Sequence, residues 1–463
     1  MYVSRYTFFF PITDTEDIIL VNPLSGAVDI VDAGVIDTIN RIKEGKPVED
    51  EETFRNLLRR RYIYGRKEDE EKLITEAFEQ WNKNLALEPE SFFIYPTYGC
   101  NLRCTYCFQT EDMRIGEVIK PRLIDKAFEV MEEFHAEGGA QEPPLLTLFG
   151  GEPLIYREEQ KRAVEYILKK CQDIGFHSKI ITNGVDLTHY IDVIQKYVDK
   201  HIQVTLDGPR DIHNKRRIGV DGSGSFDGIV KGIDAVLEEI GMHIALRINV
   251  DKENIYSLPE MASFIIDKGW RDTGLITPYI AAVRDSGCIG QENVIPLPHL
   301  LKTVLTMYRE QPDTKVITLM GWRWIESMEN LIKKGRLYSP LFNFCGAGMK
   351  RLCFDTFGDI YACAGFAGEK SQIIGKFYPE FKFYPELLGQ WETRNILTLP
   401  KCSTCSYNLL CGGGCTFIAV TKFGSLQASP CVGIPQILNL GFHYYYPYIK
   451  AKAEGGYHAS QSI

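Results

Sequence analysis

FFIYPTYGCNLRCTYC (residues 92–107) runs from an apolar, aromatic strand straight into three cysteines, Cys100, Cys104 and Cys107. The spacing is Cys-x3-Cys-x2-Cys. Three thiolates on one tight loop hold three irons of a cubane cluster, whereas a conventional electron-transfer cluster takes four. The loop therefore reads as a cluster with an open corner. Zinc fits less well, because a structural zinc site wants four ligands, usually as two close pairs.

Working outward, the strand before the loop opens a repeated βα pattern. LLTLFGGEP, KIITNG, IQVTLDG and IALRINV read as further strands. Helical sequence follows, as in YIDVIQKYVDK and FDGIVKGIDAVLEEI. Such alternation predicts a parallel sheet or barrel over residues 90–330, with chemistry at the carboxyl ends of the strands. The motifs fall at those ends: the cysteine loop, Gly150 to Pro153, Asn183-Gly184 and Asp207-Gly208.

Before the barrel, YTFFFPI, DIILVNP and AVDIVDA read as short strands, and GVIDTINRIKEG and ETFRNLLRRRY as helices. Residues 1–85 thus fit a small winged-helix-like module, with 67–84 as a solvated helix leading onward. After residue 331 the alternation is expected to stop. Eight cysteines lie between 345 and 431 and three glycines stand at 412–414, followed by an aromatic stretch taken as a tail over 441–463.

Composition narrows the partners. The 463 residues are 44% hydrophobic and 24% charged, with net charge −9, which argues against nucleic acid or an anionic membrane. No apolar run reaches membrane-spanning length, and the start lacks a signal-peptide pattern. A cytoplasmic, reducing location is expected, so thirteen cysteines point to metal or catalysis rather than disulfides.

The cysteine loop resembles that of the radical SAM superfamily, Cys-x3-Cys-x-aromatic-Cys after the first barrel strand. The resemblance implies a partial (β/α)6 TIM-like barrel within an α/β fold. It also implies a 4Fe-4S cluster whose open iron chelates S-adenosylmethionine (SAM), and a 5′-deoxyadenosyl radical that takes hydrogen from the substrate. Tyr106 would shield the cluster. Gly150, Gly151, Glu152 and Pro153 resemble the family's Gly-Gly-Glu-Pro motif, which pairs with the methionyl amino group. Asn183 and Thr205 lie in segments resembling those that line the cofactor. Arg216 or Arg217, with Arg217 preferred, would hold its carboxylate, and Asn249 would reach a ribose. His213 is expected to be a hydrogen-bonding loop residue.

The C-terminal cysteines resemble the SPASM extension (331–440): Cys345, then Gly358-x4-Cys363, then Cys402-x2-Cys405-x5-Cys411-x3-Cys415, then Cys431. A zinc ribbon would explain only Cys402, Cys405, Cys411 and Cys415. By this resemblance one auxiliary 4Fe-4S cluster takes Cys345, Cys363 and Cys415. Either Cys353 completes that set or one iron stays open. A second auxiliary cluster takes Cys402, Cys405, Cys411 and Cys431. Cys171 is expected in a helix of the core, and Cys288 in a loop without a role.

Two auxiliary clusters imply a net two-electron oxidation and an external donor such as flavodoxin or ferredoxin. SPASM proteins modify peptides and proteins, and residues 1–85 resemble the precursor-peptide recognition element of peptide maturases. There a leader peptide adds a strand to the module's sheet. The reading is a maturase that crosslinks a ribosomally made precursor peptide, foremost by a thioether between Cys and a carbon, otherwise by a C–C or C–O link. Two alternatives stand beside it. An anaerobic sulfatase maturase carries an Asp after the cysteine matched by Cys363, where this chain has Ala364. An iron–sulfur electron carrier needs neither the three-cysteine loop nor GGEP.

Overall fold

The computed structural model describes residues 1–284, 291–338 and 340–455; Cys288 lies outside them. Six parallel strands form the barrel wall in chain order: Ser91–Ile94, Leu145–Leu148, His177–Thr182, Ile202–Thr205, Ile244–Val250 and Ile276–Ala282. Helices Pro121–Gly138, Glu158–Asp173, Ile191–Tyr197, Phe226–Ala235 and Leu258–Asp267 fall between successive strands. This is the expected partial (β/α)6 barrel.

Each strand has two unlike faces because successive side chains point opposite ways. Phe92, Ile94, Leu146, Leu148, Ile180, Val204, Leu246 and Ile248 are fully buried under the helices. Their alternating neighbours, such as Phe93, Lys179, Gln203, Arg247 and Tyr279, are only half-buried. The apolar face drives assembly by area removed from water. The other face lines an open lumen.

The sheet does not end where alternation was expected to stop. Arg351–Phe354 pairs parallel with Ser91–Ile94, and Asp359–Tyr361, Ile373–Lys376 and Lys382–Phe383 extend it antiparallel to ten strands. Cys353 therefore sits in the barrel sheet itself. RLCF is too short a run among cysteines to declare itself a strand.

In the N-terminal module, Phe8–Pro11, Ile18–Asn22 and Ala27–Val31 form an antiparallel sheet. Helices Ala33–Lys43 and Glu51–Arg59 follow, each started by an Asp N-cap, Asp32 and Asp50. The helix Lys67–Leu87 is not simply solvated. Its Ile74 is buried, and Phe78 lies 5.1 Å from Phe342 between ring centroids. Tyr6, Leu24 and Ile74 share one core with Phe342, Ile396, Leu399, Cys402 and Leu409. The module is thus docked on the cysteine-rich region.

The stretch read as a tail is a helix over Ile434–Ala453. Its Ile437, Leu438, Phe442, Tyr445 and Ile449 are buried. Phe442 meets Phe10 at 5.1 Å, and Lys450 pairs with Asp17 at 2.8 Å. Pro447 inside the helix hid it from a sequence reading.

Candidate functional site

The first cysteine loop is held from two sides. Leu102–Cys104 pairs antiparallel with Arg217–Gly219, which sets Arg217 opposite Cys104. From below, the Gly150-Gly151 turn packs on the backbone that leads into Cys100. Gly151 N–H donates to the Thr97 carbonyl at 3.1 Å, and Glu152 N–H to that of Gly99 at 2.8 Å. A Cβ on Gly151 would lie 2.1 Å from Gly99 O and 2.3 Å from Tyr98 O, so only glycine fits. Gly150 has φ 141° and would also collide with Thr97 O.

Glu152 is buried. Its carboxylate accepts from Thr182 Oγ1 at 2.5 Å, Asn183 N at 2.5 Å and Leu154 N at 2.9 Å. Burial nevertheless pushes the carboxyl up to about 7. Glu152 thus ties the Gly-Gly turn to the end of the third barrel strand and retains room for one more donor. Pro153 is fixed through its carbonyl, which accepts from Gln160 Nε2 at 2.8 Å. Asn183 donates from Nδ2 to Asn101 Oδ1 at 2.7 Å, inside the cysteine loop.

On the opposite rim, Tyr106 organises a polar cluster. Its hydroxyl donates to Asp207 and accepts from Arg217 Nη1 at 2.7 Å and Asn249 Nδ2 at 3.1 Å. Arg216 and Arg217 separate here. Arg216 is consumed by Asp251 at 2.7 Å, Glu253 at 3.0 Å and Asp207 at 3.7 Å. Arg217 has one arm on Tyr106, and its Nε is buried without a partner. Burial opposes the Arg217 charge, but Cys104, Tyr106 and Asp207 hold it firmly protonated. Thr205 is buried at the end of its strand, beside Arg247 in register. His213 is a hydrogen-bonding residue, as expected. Its Nδ1 accepts from Asp207 N at 3.1 Å, Nε2 faces Ser225 Oγ at 3.0 Å, and burial lowers the ring to about 3. Sequence reasoning missed the roles of the Tyr106 hydroxyl, Asp207, Asp251 and Asn101. The signal was three polar residues ending adjacent strands.

The thiols of Cys100, Cys104 and Cys107 lie within reach of one another's charge. Burial, with Glu152 and the two neighbouring thiols, pushes Cys100 up to about 12. The C-terminal thiols fall into two sets by the same criterion. Cys363 is pushed up to about 12 by burial, with Cys345 and Cys415 adding, and Cys353 is raised by burial with Cys363 beside it. Cys411 is pushed up to about 12 by burial, with Cys402, Cys431 and Cys405 adding. Between the sets lies Arg394, which the sequence did not flag. Its guanidinium donates to the carbonyls of Leu426 at 2.7 Å and Ala428 at 2.9 Å and feels thiols of both sets. Cys171 is buried in its helix and Sγ approaches Phe176 O at 3.4 Å, a core role. Among the described residues no three His, Cys, Asp or Glu side chains close on one point as the ligands of a single ion would.

Residues 94–265 match the radical SAM superfamily. That stretch carries the cysteine loop and the Gly-Gly-Glu-Pro turn, and it is the radical SAM domain of an enzyme. The chain is 22% identical over 333 residues to a cysteine-type anaerobic sulfatase-maturating enzyme of Clostridium novyi, covering 68% of this chain and 85% of the relative. It is 26% identical over 333 residues to the mycofactocin maturase MftC of Mycolicibacterium smegmatis, covering 69% and 76%. Its fold is similar to that of Streptococcus suis SuiB bound to precursor peptide SuiA, with TM-score 0.53, 16% identity, and 92% and 98% coverage. It is also similar to anSMEcpe with bound AdoMet and Cp18Cys peptide, with TM-score 0.59, 18% identity, and 80% and 100% coverage.

The superfamily uses a 4Fe-4S cluster and SAM, and the residues present fit that pair. Cys100 and Cys104, which burial disfavours as free thiolates, and Cys107 on the same loop are a donor set that a metal deprotonates. Beside them stand an unpartnered Arg217 Nε and a carboxylate with a free acceptor position.

Proposed function

We propose that the protein is a maturase that installs an intramolecular crosslink in a ribosomally synthesised precursor peptide. A thioether between a Cys and a carbon is the leading bond, ahead of a C–C or C–O link. In this reading Cys100, Cys104 and Cys107 hold the SAM-binding cluster. Gly150, Gly151, Glu152 and Pro153 cradle the methionyl amino end, Arg217 takes the carboxylate, and Asn183, Thr205 and Asn249 line the nucleoside side. Cys345, Cys353, Cys363 and Cys415 hold one auxiliary 4Fe-4S cluster, and Cys402, Cys405, Cys411 and Cys431 the other. Bound there, the cluster and SAM supply one-electron chemistry able to remove an unactivated hydrogen. The chain's own residues orient that pair and wall it from water.

The observation that carries the reading is the N-terminal module. Among the described residues its strand Ala27–Val31 pairs only with Ile18–Asn22, which leaves the outer edge for an extended leader peptide. The SuiB likeness spans 92% of the chain and so includes part of this module. A sulfatase maturase is the second reading, favoured by the Clostridium novyi relative and opposed by Ala364.

No helix among the described residues is long and apolar enough to cross a membrane. We place the enzyme in the cytoplasm with a flavodoxin or ferredoxin as reductant. The test reads the neighbouring open reading frames and takes as substrate a short peptide encoded there. Reduced enzyme should convert it to a product lacking two hydrogens, release 5′-deoxyadenosine, and protect the amides of 27–31 from hydrogen exchange. Conversion of a sulfatase Cys to formylglycine, with no action on the peptide, would refute the crosslinking role.

A further inference from the structure

Among the described residues, the inner face of the barrel carries positive charge that no carboxylate pairs with. Lys179, Arg247 and Arg351 each alternate with residues buried under the helices: Ile180, Leu246 and Leu352. Period two therefore turns all three toward the lumen. Strand tilt gathers such positions into layers, and contacts run along the wall on both sides. The Tyr279 hydroxyl donates to Gln203 Oε1 at 2.8 Å and is hydrogen-bonded to Arg247. Around the wall, the Arg351 guanidinium lies over the Phe93 ring at 5.5 Å. Thr147 is in register with Phe93 on one side and Lys179 on the other. Burial lowers the Lys179 amine, and the charge of Arg351, on the same run of the wall, lowers it further.

Among the described residues, none of these three cations makes an ion pair with an Asp or Glu. Two polar groups in the same layer are buried without any hydrogen-bond partner, Arg351 Nε and Thr147 Oγ1, and Thr147 is wholly inaccessible. Half-buried like charges on one face, beside idle hydrogen-bonding groups, cost stability unless an anion joins them. The layer also lies where a substrate must end. Arg247 pairs in register with Thr205 and stands two residues before Asn249. Arg247 thus joins the wall below to the residues assigned to SAM, and its Nε donates to Asn249 Oδ1 at 2.7 Å.

We infer that this layer receives a carboxylate of the peptide substrate and so fixes which substrate residue lies below the cofactor. The carboxylate belongs either to an Asp or Glu side chain or to the peptide's C-terminus; an arginine fork suits both. That the carboxylate comes from a peptide rests on the maturase reading, whereas the site's preference for a carboxylate does not.

The test is a footprint on the reconstituted enzyme, read without turnover. An amine-acetylating reagent is applied and modification of Lys179 is followed by mass spectrometry. Three blocked pentapeptides are compared: an amidated Gly-Gly-Asp-Gly-Gly, an amidated Gly-Gly-Asn-Gly-Gly, and a pentaglycine with a free C-terminal carboxylate. At least one carboxylate peptide should slow acetylation severalfold while the Asn peptide does not, and the one that protects identifies the source. Arg351→Gln should weaken that protection about tenfold, as expected when a charged partner is lost, and Arg351→Lys should restore part of it. Equal protection by all three peptides, protection by none, or full protection in Arg351→Gln would overturn the inference. Because no turnover is needed, these outcomes are independent of whether the precursor peptide is crosslinked.

Discussion

Replacing Gly151 with alanine tests how the cysteine loop is held. The new Cβ would stand 2.1 Å from Gly99 O and 2.3 Å from Tyr98 O, roughly 1 Å or more inside normal contact. Both obstacles are backbone carbonyls at the start of the cysteine loop, so neither can swing aside. Relief requires the turn to move away and give up two hydrogen bonds, Gly151 N–H to Thr97 O and Glu152 N–H to Gly99 O. Two such bonds are worth about 1 kcal/mol each, and overpacking adds about 1–3 kcal/mol. The total, about 3–5 kcal/mol, falls on the joint between loop and turn. If most of it is expressed there, SAM affinity should drop on the order of a hundredfold. Equilibrium binding to the anaerobic, cluster-loaded protein measures this, with thermal unfolding recorded in parallel. Gly389→Ala is the control: it lies in the helix Pro385–Glu392 with nothing within 4 Å of an added Cβ. It should gain about 0.5–1 kcal/mol of helix propensity and leave binding unchanged. SAM affinity within twofold of wild type in Gly151→Ala would refute the view that this joint positions the site.

Other outcomes follow from the same geometry. Glu152 titrates near 7, and its ionised form is the one that attracts an ammonium group, so SAM affinity should rise as pH climbs through 7 and stay flat in Glu152→Gln. The stability sign is opposite. A carboxyl raised from 4.5 to about 7 favours the fold when protonated, so about 3 kcal/mol present below pH 4.5 is lost as pH passes 7; denaturant midpoints of Glu152→Gln should lack that slope. Arg216→Met strands Asp207 and Asp251, which are buried, and should cost about 3–5 kcal/mol by calorimetry. Arg217→Lys should unfold like wild type yet bind SAM more weakly, because the fork is lost. Arg394→Met should lower iron bound by the C-terminal thiols while the SAM-responsive cluster persists, as read by iron analysis and EPR.

Five of the six barrel strands were legible because they announce themselves twice, by apolar runs and by the Gly, Asn or Asp that soon follows, whereas Ile276–Ala282 runs on into Val283-Arg284 and was not read. The three strands and two helices of the N-terminal module were legible for the same reason. Where the reading failed, tertiary packing had overridden a local signal. Arg351–Phe354 is four residues long and counts as a strand only because Ser91–Ile94 offers a partner. The helix Ile434–Ala453 contains Pro447 and is stabilised by its buried face, not by propensity. The site's cysteines and Gly-Gly turn were visible as motifs. The division of labour between Arg216 and Arg217 was not, since adjacent arginines look alike until Asp251 and Glu253 claim one of them. The lumen cations were equally hidden. Lys179, Arg247 and Arg351 stand far apart in the chain and share the inner face only once the strands form one sheet.

The central claim is that the loop Cys100–Cys107 holds a 4Fe-4S cluster with one iron open to SAM. EPR of the dithionite-reduced, anaerobically reconstituted protein tests it most directly. Adding SAM should change one signal, and in Cys104→Ala that response should vanish while signals from the C-terminal clusters remain. A spectrum indifferent to SAM in the wild-type protein, or zinc in place of iron on that loop, would contradict the account.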